Sequence, residues 1–171
     1  MSNRIKGTKH VIGDVLTPYT NNDGYVIVCH QVNCQGVMGS GLAAQVKRKL
    51  PRVYDVYKEK CDAVDNKHDM LGNVQMVSCL SDAGFVLANI FGQNTFGRNP
   101  DRRYTSYKAV RKAFKNIAAS YPGVTIRIPY LMGCALGGGN WNEMSAIIKE
   151  ELIDKGVSVE IWELPQQEKG E

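Results

Sequence analysis

A glycine-rich turn between a predicted strand and a predicted helix stands out in the N-terminal part of the chain. The apolar run YVIVC, residues 25–29, predicts a strand buried on both faces. It is followed by Gly36, Gly39 and Gly41 and then by LAAQVKRKL, which is typical of a helix. Glycines allow positive φ and close backbone approach, and a helix N-terminus carries about half a positive charge. The stretch from Cys29 to Pro51 therefore predicts a binding site for a phosphate or pyrophosphate.

The same stretch excludes two common phosphate-binding motifs. A Walker A loop needs Lys and a hydroxyl residue after its last glycine, whereas Gly41 is followed by Leu42 and Ala43. The dinucleotide pattern G-x-G-x-x-G is absent in that order, and the turn follows the second predicted strand instead of the first. The turn is a ligand loop of another kind or, in the alternative interpretation, a set of glycines that only shapes a connection.

A second glycine-rich turn, LMGCALGGGNW, follows the predicted strand VTIRIPY and precedes the predicted helix WNEMSAIIKEEL. Asn140 and Glu143 have the spacing of a capping box at the start of that helix. Two such turns at one edge of a sheet would hold a diphosphate and its sugars from both sides, because ligands of α/β sheets lie beyond the carboxyl ends of the strands.

The remaining elements complete an α/β pattern. TKHVI (residues 8–12) and VSVEIW (157–162) predict strands, and VQMVSCL and FVLANIF predict an antiparallel hairpin joined by SDAG. Thr105 is expected to cap the helix TSYKAVRKAFKNIAASY, which places Val110, Phe114, Ile117 and Tyr121 on one core-facing side. Six predicted strands interleaved with helices indicate a three-layer α/β/α domain with a mixed sheet.

Length and composition favour a single domain over residues 1–171, with a core at about 8–164 and a polar tail at 165–171. A chain of this length buries about 70% of its unfolded surface in one core. No apolar run approaches the roughly 18 residues of a membrane helix, and MSNRIKGTKH lacks the apolar segment of a signal peptide. We expect a cytoplasmic monomer.

The cysteines and the charges narrow the function further. Five cysteines, without a CxxC pair or an export signal, favour free thiols. We expect no metal, because Cys29, His30 and Cys34 lack the spacing of a zinc site, and no cofactor. Much of the basic excess behind the net charge of +4 lies at residues 47–49 and 98–115. That distribution favours an anionic ligand and is compatible with nucleic acid.

Three motifs together resemble a macrodomain, the ADP-ribose-binding fold. They are GDV at residues 13–15, NCQGVMGSGLA at 33–43 and IPYLMGCALGGGNW at 128–141. The resemblance covers residues 13–164 and is strongest to the branch with the terminal ADP-ribose protein glycohydrolase, the antitoxin that removes ADP-ribose from DNA and the yeast ADP-ribose-1''-phosphate phosphatase. It implies a three-layer macrodomain with a mixed six-stranded sheet that binds ADP-ribose. It also implies hydrolysis of an ADP-ribosyl linkage on a protein carboxylate, a DNA base or a phosphate.

The resemblance assigns residues to the parts of ADP-ribose. Asp14 would accept a hydrogen bond from the adenine amine, which suits a group that only accepts, and the N–H of Val15 would reach the ring. Asn33 would contact the distal ribose, and Trp162 would either flank the adenine or pack on the core. The two turns would hold the diphosphate and ribose through Val37, Met38, Gly39, Ser40, Gly41 and Leu42, and through Gly133, Cys134, Ala135, Leu136, Gly137 and Gly138.

Two catalytic residues of the glycohydrolase are missing from this chain. Its lysine would fall within residues 92–94, which are Gly-Gln-Asn, and its aspartate at Gly137. The remaining candidates are Asn33, to orient ribose and water, and His30, as a general base unless it is a structural histidine. Hydrolysis at the distal ribose passes through oxocarbenium-like charge. A reaction in which the substrate's own diphosphate holds the attacking water would need few catalytic groups from the protein.

Three functions remain open from the sequence. The first is a hydrolase of ADP-ribosyl linkages or of ADP-ribose-1''-phosphate, which we favour, and the second is a module that reads ADP-ribose without turnover. Both predict saturable ADP-ribose binding that Asp14→Ala abolishes. The third is a nucleic-acid-binding protein that uses Arg98, Arg102 and Arg103, with binding that falls steeply with salt and does not need Asp14.

Overall fold

The computed structural model describes residues 4–167 as a six-stranded sheet flanked by helices. The strands are β1 (Lys9–Ile12), β2 (Val26–Asn33), β3 (Val74–Cys79), β4 (Phe85–Gln93), β5 (Ile126–Pro129) and β6 (Val159–Glu163). The helices are α1 (Gly41–Lys49), α2 (Pro51–Asp62), the single turn α3 (Leu80–Ala83), α4 (Tyr107–Ser120) and α5 (Trp141–Glu151). Short 3-10 segments cover Lys67–Met70 and Ile153–Lys155. Of the predicted polar tail, residues 168–171 lie outside the described residues.

The strand order is β1-β6-β5-β2-β4-β3, and β3 alone runs antiparallel to its neighbour. The predicted mixed sheet and the β3–β4 hairpin are thus confirmed. Because β1, β2, β4, β5 and β6 are parallel, their carboxyl ends share one edge of the sheet. The connections that leave β1, β2, β4 and β5 therefore meet at that edge, where ligands of such sheets bind.

Each face of the sheet carries its own core, because successive side chains of a strand point to opposite faces. In β2, Ile27 and Cys29 pack in the core beneath α4 and α5. Val28 and Val32 pack in the other core, beneath α1 and α2. The predicted three-layer arrangement is confirmed, and the glycine turn after β2 leads into one outer layer while the turn after β5 leads into the other.

Strand β2 is longer than the apolar run that predicted it. It continues past Cys29 to Asn33 and pairs with β4 through Gln31↔Ile90 and Asn33↔Gln93. The prediction ended the strand at residue 29 because polar residues follow. His30 and Asn33 are buried, Gln31 is half-buried, and all three make side-chain hydrogen bonds, which is why they do not end the strand.

The start of α4 corrects the predicted cap. Ser106 is the N-cap, and its hydroxyl accepts a hydrogen bond of 3.2 Å from Ala109 N–H. The Thr105 hydroxyl instead donates to the carbonyl of Gly133, at 2.7 Å. The predicted core face of the helix is present, since Val110, Phe114 and Ile117 are buried, whereas Tyr121 follows the last residue of α4 and is partly buried.

The predicted capping box of α5 is half formed. The Asn140 carboxamide accepts from Asn142 N–H at 2.8 Å, as an N-cap does. The backbone N–H of Asn140 donates to the Tyr107 hydroxyl at 2.8 Å, so it does not pair with Glu143. The first residue of α4, the neighbouring helix in the same layer, thus supplies the second half of the cap. No helix within residues 4–167 is both long enough and apolar enough to span a bilayer.

Candidate functional site

The two glycine turns line one cavity of about 690 Å³ at the carboxyl ends of β2 and β5. This volume is in the range of small-molecule sites. His30 and Asn33 also line it, so the structure brings together most of the residues predicted for the diphosphate and distal ribose. The predicted turn residues that line the cavity are Val37, Gly39, Ser40, Gly41 and Leu42 from the first turn and Gly133, Ala135, Leu136 and Gly137 from the second.

The N-terminus of α1 opens into this cavity without a side-chain cap. Its N-cap residue, Ser40, has an extended backbone and makes no capping hydrogen bond. The N-caps of α4 and α5, Ser106 and Asn140, both do. The first N–H groups of a helix have no partner within the helix. At α1 they are available to an anion in the cavity.

Asn33 shapes the first turn from inside. Its amide Nδ2 donates to the carbonyl of Val37 at 2.8 Å, and its Oδ1 accepts from Gln35 N–H at 3.0 Å. The Tyr57 hydroxyl lies 2.9 Å from the same Oδ1 and 2.7 Å from the Asn33 carbonyl oxygen. One amide hydrogen of Asn33 remains for a ligand, since Nδ2 carries two. The side chain therefore fixes the turn and keeps one donor at the cavity wall.

His30 lies in a buried chain of amides. The carbonyl of Val56 accepts from Gln75 Nε2 at 3.1 Å, and Gln75 Oε1 accepts from Asn89 Nδ2 at 3.0 Å. Asn89 therefore presents Oδ1 to His30 Nε2, which must carry the hydrogen. Burial lowers the pKa of His30 to about 4, and its Nδ1 is buried without a partner. At neutral pH the ring is uncharged and a weak proton acceptor, as expected for a structural histidine.

Gln93 lies in the segment 92–94, where the resemblance to the glycohydrolase would place a lysine. Gln93 Nε2 donates to the carbonyl of Thr95 at 2.9 Å, which leaves Gln93 Oε1 to accept from Gln31 Nε2 at 2.8 Å. The second acceptor of Gln31 Nε2 is the Thr105 hydroxyl, at 2.8 Å. These amides join the ends of β2 and β4 to the start of α4 and supply no charge.

Gly137, at the place of the missing aspartate, has no room for a side chain. A Cβ there would lie 2.5 Å from Thr105 Oγ1 and 2.6 Å from the carbonyl oxygen of Gly133. The carbonyl of Gly137 also accepts from the N–H groups of Tyr104 and Thr105, at 2.8 and 3.0 Å. The second turn is thus closed against the start of α4.

The cavity wall is nearly free of formal charge. Within residues 4–167, no lining residue is a carboxylate, and Arg98 is the one lining residue with a formal charge at neutral pH.

Four exposed apolar side chains lie around the cavity, namely Val37, Phe96, Leu131 and Leu136. Leu131 has φ of +62°, a conformation that is rare for residues other than glycine.

Asp14 and Val15 lie outside the cavity lining. Asp14 Oδ1 accepts from Leu16 N–H at 2.9 Å, and Oδ2 forms an ion pair of 3.0 Å with Lys49. Burial alone raises the pKa of Asp14, but the Leu16 N–H and Lys49 outweigh it and hold the pKa below its usual value. Val15 is buried in the core next to α1 and α2. An adenine would have to share the Asp14 carboxylate with Lys49.

Four other predicted site residues also lie off the lining. Met38 is buried in the core beneath the first turn, and the Cys134 thiol donates to the carbonyl of Met132. Gly138 packs against the backbone of Arg102, where a Cβ would lie 2.6 Å from the carbonyl oxygen. Trp162 packs against the core under α1 and α2, as in the second of its two predicted roles.

Arg127 was missed by the sequence interpretation. It is 4% exposed in β5, donates to the carbonyl of Thr17 at 2.6 Å, and lies 4.4 Å from the centre of the Trp162 ring. It therefore ties the loop that contains Asp14 to the sheet. The sequence does contain a signal for it, a single arginine inside the apolar run VTIRIPY. A charged side chain in a buried strand needs hydrogen-bond or ionic partners, so such an arginine indicates a structural contact with another segment.

Known proteins provide relatives of this chain, although no protein-family model matches the sequence. The ADP-ribose 1''-phosphate phosphatase of Meyerozyma guilliermondii is 33% identical over 151 residues, which covers 74% of this chain and 85% of that protein. The DNA ADP-ribosyl transferase-DNA ADP-ribosyl glycohydrolase fusion protein of Thermosipho africanus is 27% identical over 142 residues, which covers 77% and 36%. The chain thus spans about a third of the fusion protein's length, and 47% of the phosphatase of Scheffersomyces stipitis.

Solved structures share the fold over nearly the whole chain. A Bacteroides thetaiotaomicron protein of unknown function superposes with a TM-score of 0.79 at 28% identity, over 92% of this chain and 98% of that one. A macrodomain protein from Streptomyces coelicolor gives 0.71 at 24%, over 91% and 97%. Thermosipho africanus DarTG in complex with ADP-ribose gives 0.71 at 21%, over 98% and 44%. The chain belongs to the macrodomain family, as its motifs predicted.

Proposed function

We propose that the cavity binds ADP-ribose and that the protein hydrolyses an ADP-ribosyl linkage at the distal ribose. The observation that carries the proposal is the meeting of both glycine turns in one cavity at the uncapped N-terminus of α1. A diphosphate suits this place because it is an anion that accepts hydrogen bonds from backbone N–H groups on two sides. Relatives named as a phosphatase of ADP-ribose 1''-phosphate and as an ADP-ribosyl glycohydrolase support the same assignment.

In the proposed complex the diphosphate lies between residues 39–42 and 133–137. The distal ribose contacts the free amide hydrogen of Asn33. The adenine extends toward Asp14, whose carboxylate accepts from the exocyclic amine, and toward Val15. Lys49 then either moves aside or keeps its contact with the other lone pairs of the carboxylate. Trp162 supports this loop from beneath, through Arg127.

The proposed reaction relies on the substrate because, among the residues that the structure describes, none that lines the cavity is a carboxylate. A non-bridging oxygen of the diphosphate accepts a proton from a water held near Asn33. The water oxygen forms a bond to the anomeric carbon, and the bond from that carbon to the leaving atom, an oxygen of a carboxylate or phosphate or an atom of a base, breaks with its electron pair moving to the leaving group. The released proton reaches the leaving group. Asn33 orients ribose and water, and a neutral His30 stays beneath the site as a support.

A reader of ADP-ribose is the second candidate. It is favoured by the amide at Gln93, by the closed backbone at Gly137 and by the low pKa of His30. Together they leave no strong acid or base at the cavity within residues 4–167. This candidate predicts the same ADP-ribose affinity as the hydrolase and no release of product from any ADP-ribosylated substrate.

The test combines calorimetric titration with ADP-ribose and a time course of product release. The substrates are a glutamate-linked ADP-ribosyl peptide, ADP-ribosylated DNA and ADP-ribose-1''-phosphate, at one protein concentration. We expect turnover of at least one of them, lowered by Asn33→Ala. Saturable binding without any release would leave the reader, and absence of binding would overturn both.

A matched variant separates the two effects of Asn33. Tyr57→Phe removes the hydroxyl that supports the Asn33 carboxamide but touches no ligand. If Asn33 acts on the ribose, Asn33→Ala lowers the rate far more than Tyr57→Phe does. Equal losses in both variants would show that Asn33 only shapes the turn.

A further inference from the structure

The connection from β4 to α4 forms one wall of the cavity and carries an unusual density of positive charge. Phe96, Gly97 and Arg98 line the cavity. From Arg98 to Lys115 the sequence contains seven basic residues and one acidic residue, Asp101. Residues 96–107 are called the basic loop below. Its first part borders the cavity and its last part adjoins the second glycine turn.

Two arginines of the basic loop are held on tyrosine rings. The guanidinium carbon of Arg102 lies 4.9 Å from the centre of the Tyr104 ring, and that of Arg103 lies 4.3 Å from the Tyr107 ring. Tyr104 packs against Gly97, where a Cβ would lie 2.1 Å from the Tyr104 hydroxyl. The Tyr107 hydroxyl accepts from the backbone at the end of the second turn. The two charges therefore have defined positions beside the cavity.

No acidic side chain within the described part of the chain, residues 4–167, forms an ion pair with these charges. Among residues 4–167, the ion pairs involve Arg111 and Arg127 but none of Arg98, Arg102 and Arg103. All three side chains are exposed. An exposed row of unpaired guanidinium groups suits a ligand with several phosphates, since each group can bind phosphate through two parallel hydrogen bonds.

An exposed aromatic ring adds a second kind of contact. The side chain of Phe96 is 51% exposed at the edge of the cavity. Phe96 directly precedes Gly97, the residue that packs against Tyr104. Aromatic rings next to a positively charged groove are the means by which proteins hold unpaired bases while arginines hold the backbone. A double helix offers no free base faces to such a ring.

We propose that the surface formed by Phe96, Arg98, Arg102 and Arg103 binds single-stranded nucleic acid that runs past the mouth of the cavity. The strand contacts the arginines through its phosphates and stacks one base on Phe96. The inference rests on the proposed function in one step only, that the strand carries the ADP-ribosyl group which enters the cavity. Binding of the strand itself does not depend on that step.

The test measures fluorescence anisotropy of labelled single-stranded DNA and RNA twelve-mers with the full chain over a range of salt concentrations. Three phosphate contacts predict a slope of log K against log salt of about −2, and Arg102→Gln/Arg103→Gln is expected to reduce it to about −0.7. Phe96→Ala is expected to weaken binding about tenfold at an unchanged slope, because one stacked base is lost.

A control variant carries the same loss of charge elsewhere. Lys6→Gln/Lys155→Gln removes two exposed charges that precede β1 and β6, at the opposite edge of the sheet. It should leave the slope unchanged. Equal weakening by this control and by the arginine variant would overturn the proposal, as would tighter binding to a duplex or to phosphatidylserine vesicles than to either single strand.

ADP-ribose affinity distinguishes this proposal from the proposed function. The arginine variant should bind ADP-ribose as the unmodified chain does, which also shows that it is folded. ADP-ribose binding without any oligonucleotide binding would overturn the surface and leave the proposed function standing. Oligonucleotide binding without ADP-ribose binding would do the reverse.

Discussion

The Thr105 hydroxyl donates a hydrogen bond of 2.7 Å to the carbonyl oxygen of Gly133 and so joins the start of α4 to the second glycine turn. The same hydroxyl accepts from Gln31 Nε2, at the end of β2. The residue predicted to cap a helix therefore holds one wall of the cavity against the sheet. Because this hydroxyl is buried, its removal should lower both the free energy of unfolding and the affinity for ADP-ribose.

Thr105→Val should lower the free energy of unfolding by about 1–3 kcal/mol, because buried polar partners lose their hydrogen bonds. ADP-ribose affinity should fall as well, since the second turn loses its anchor. Urea denaturation and calorimetric titration measure the two effects. Thr105→Ser keeps the hydroxyl and should restore most of both. Equal losses in the two variants would show that the methyl group, not the hydroxyl, is needed.

Alanine at two glycines should separate folding from binding. At Gly137 a Cβ meets Thr105 Oγ1 at 2.5 Å, so Gly137→Ala should lower the melting temperature. At Gly39 the nearest atom to an added Cβ, apart from the two adjacent residues, is Val37 Cγ1 at 3.6 Å, an ordinary contact. Gly39→Ala should therefore fold normally and weaken ADP-ribose binding by blocking close approach of the diphosphate. A loss of stability in Gly39→Ala without a change in affinity would contradict the placement of the diphosphate.

The low pKa of His30 should appear in the pH dependence of stability. Its pKa is about 4 in the folded chain against an ordinary 6.5, so the folded state binds fewer protons. The contribution is complete above pH 6.5 and is lost as pH falls from 6.5 to 4, by about 3 kcal/mol in total. Urea denaturation at several pH values should show a shallower slope in His30→Asn than in the unmodified chain. His68→Gln, an exposed control, should leave the slope unchanged.

Asp14 should be needed for ADP-ribose binding in its ionised form. Asp14→Ala should weaken affinity about tenfold or more, because the adenine amine loses its acceptor, while the exposed control Asp55→Ala should not. The pKa of Asp14 lies below its usual 3.8. Its contribution to stability is therefore present above pH 3.8 and lost only as pH falls through the lower folded value. Affinity should accordingly be flat between pH 5 and 8, and a break in that range would contradict this assignment.

The sheet, its layers and both turns could be predicted because they depend on apolar periodicity and on glycine placement. The glycines at 36–41 and 133–139 mark places where the chain must turn before a helix. The apolar runs at β2 and β4 mark strands buried on two faces. Such patterns are local, so one sequence suffices to recognise them.

Features that depend on contacts between distant residues could not be predicted. The choice of Ser106 over Thr105 as a cap follows from the position of Gly133, and the extension of β2 follows from the partners of His30 and Gln31. The pairing of Asp14 with Lys49 joins residues that are far apart in sequence. Each of these outcomes is decided by a partner that the local sequence does not identify.

The two walls of the cavity belong to different layers of the domain. The first turn is fastened through Asn33 to Tyr57 of α2, and the second through Thr105 and Tyr107 to the start of α4. A ligand such as ADP-ribose that contacts both walls would therefore link the two outer layers to each other. ADP-ribose should raise the melting temperature of the protein more than AMP or ribose-5-phosphate does, because each of these halves of ADP-ribose contacts only one part of the site.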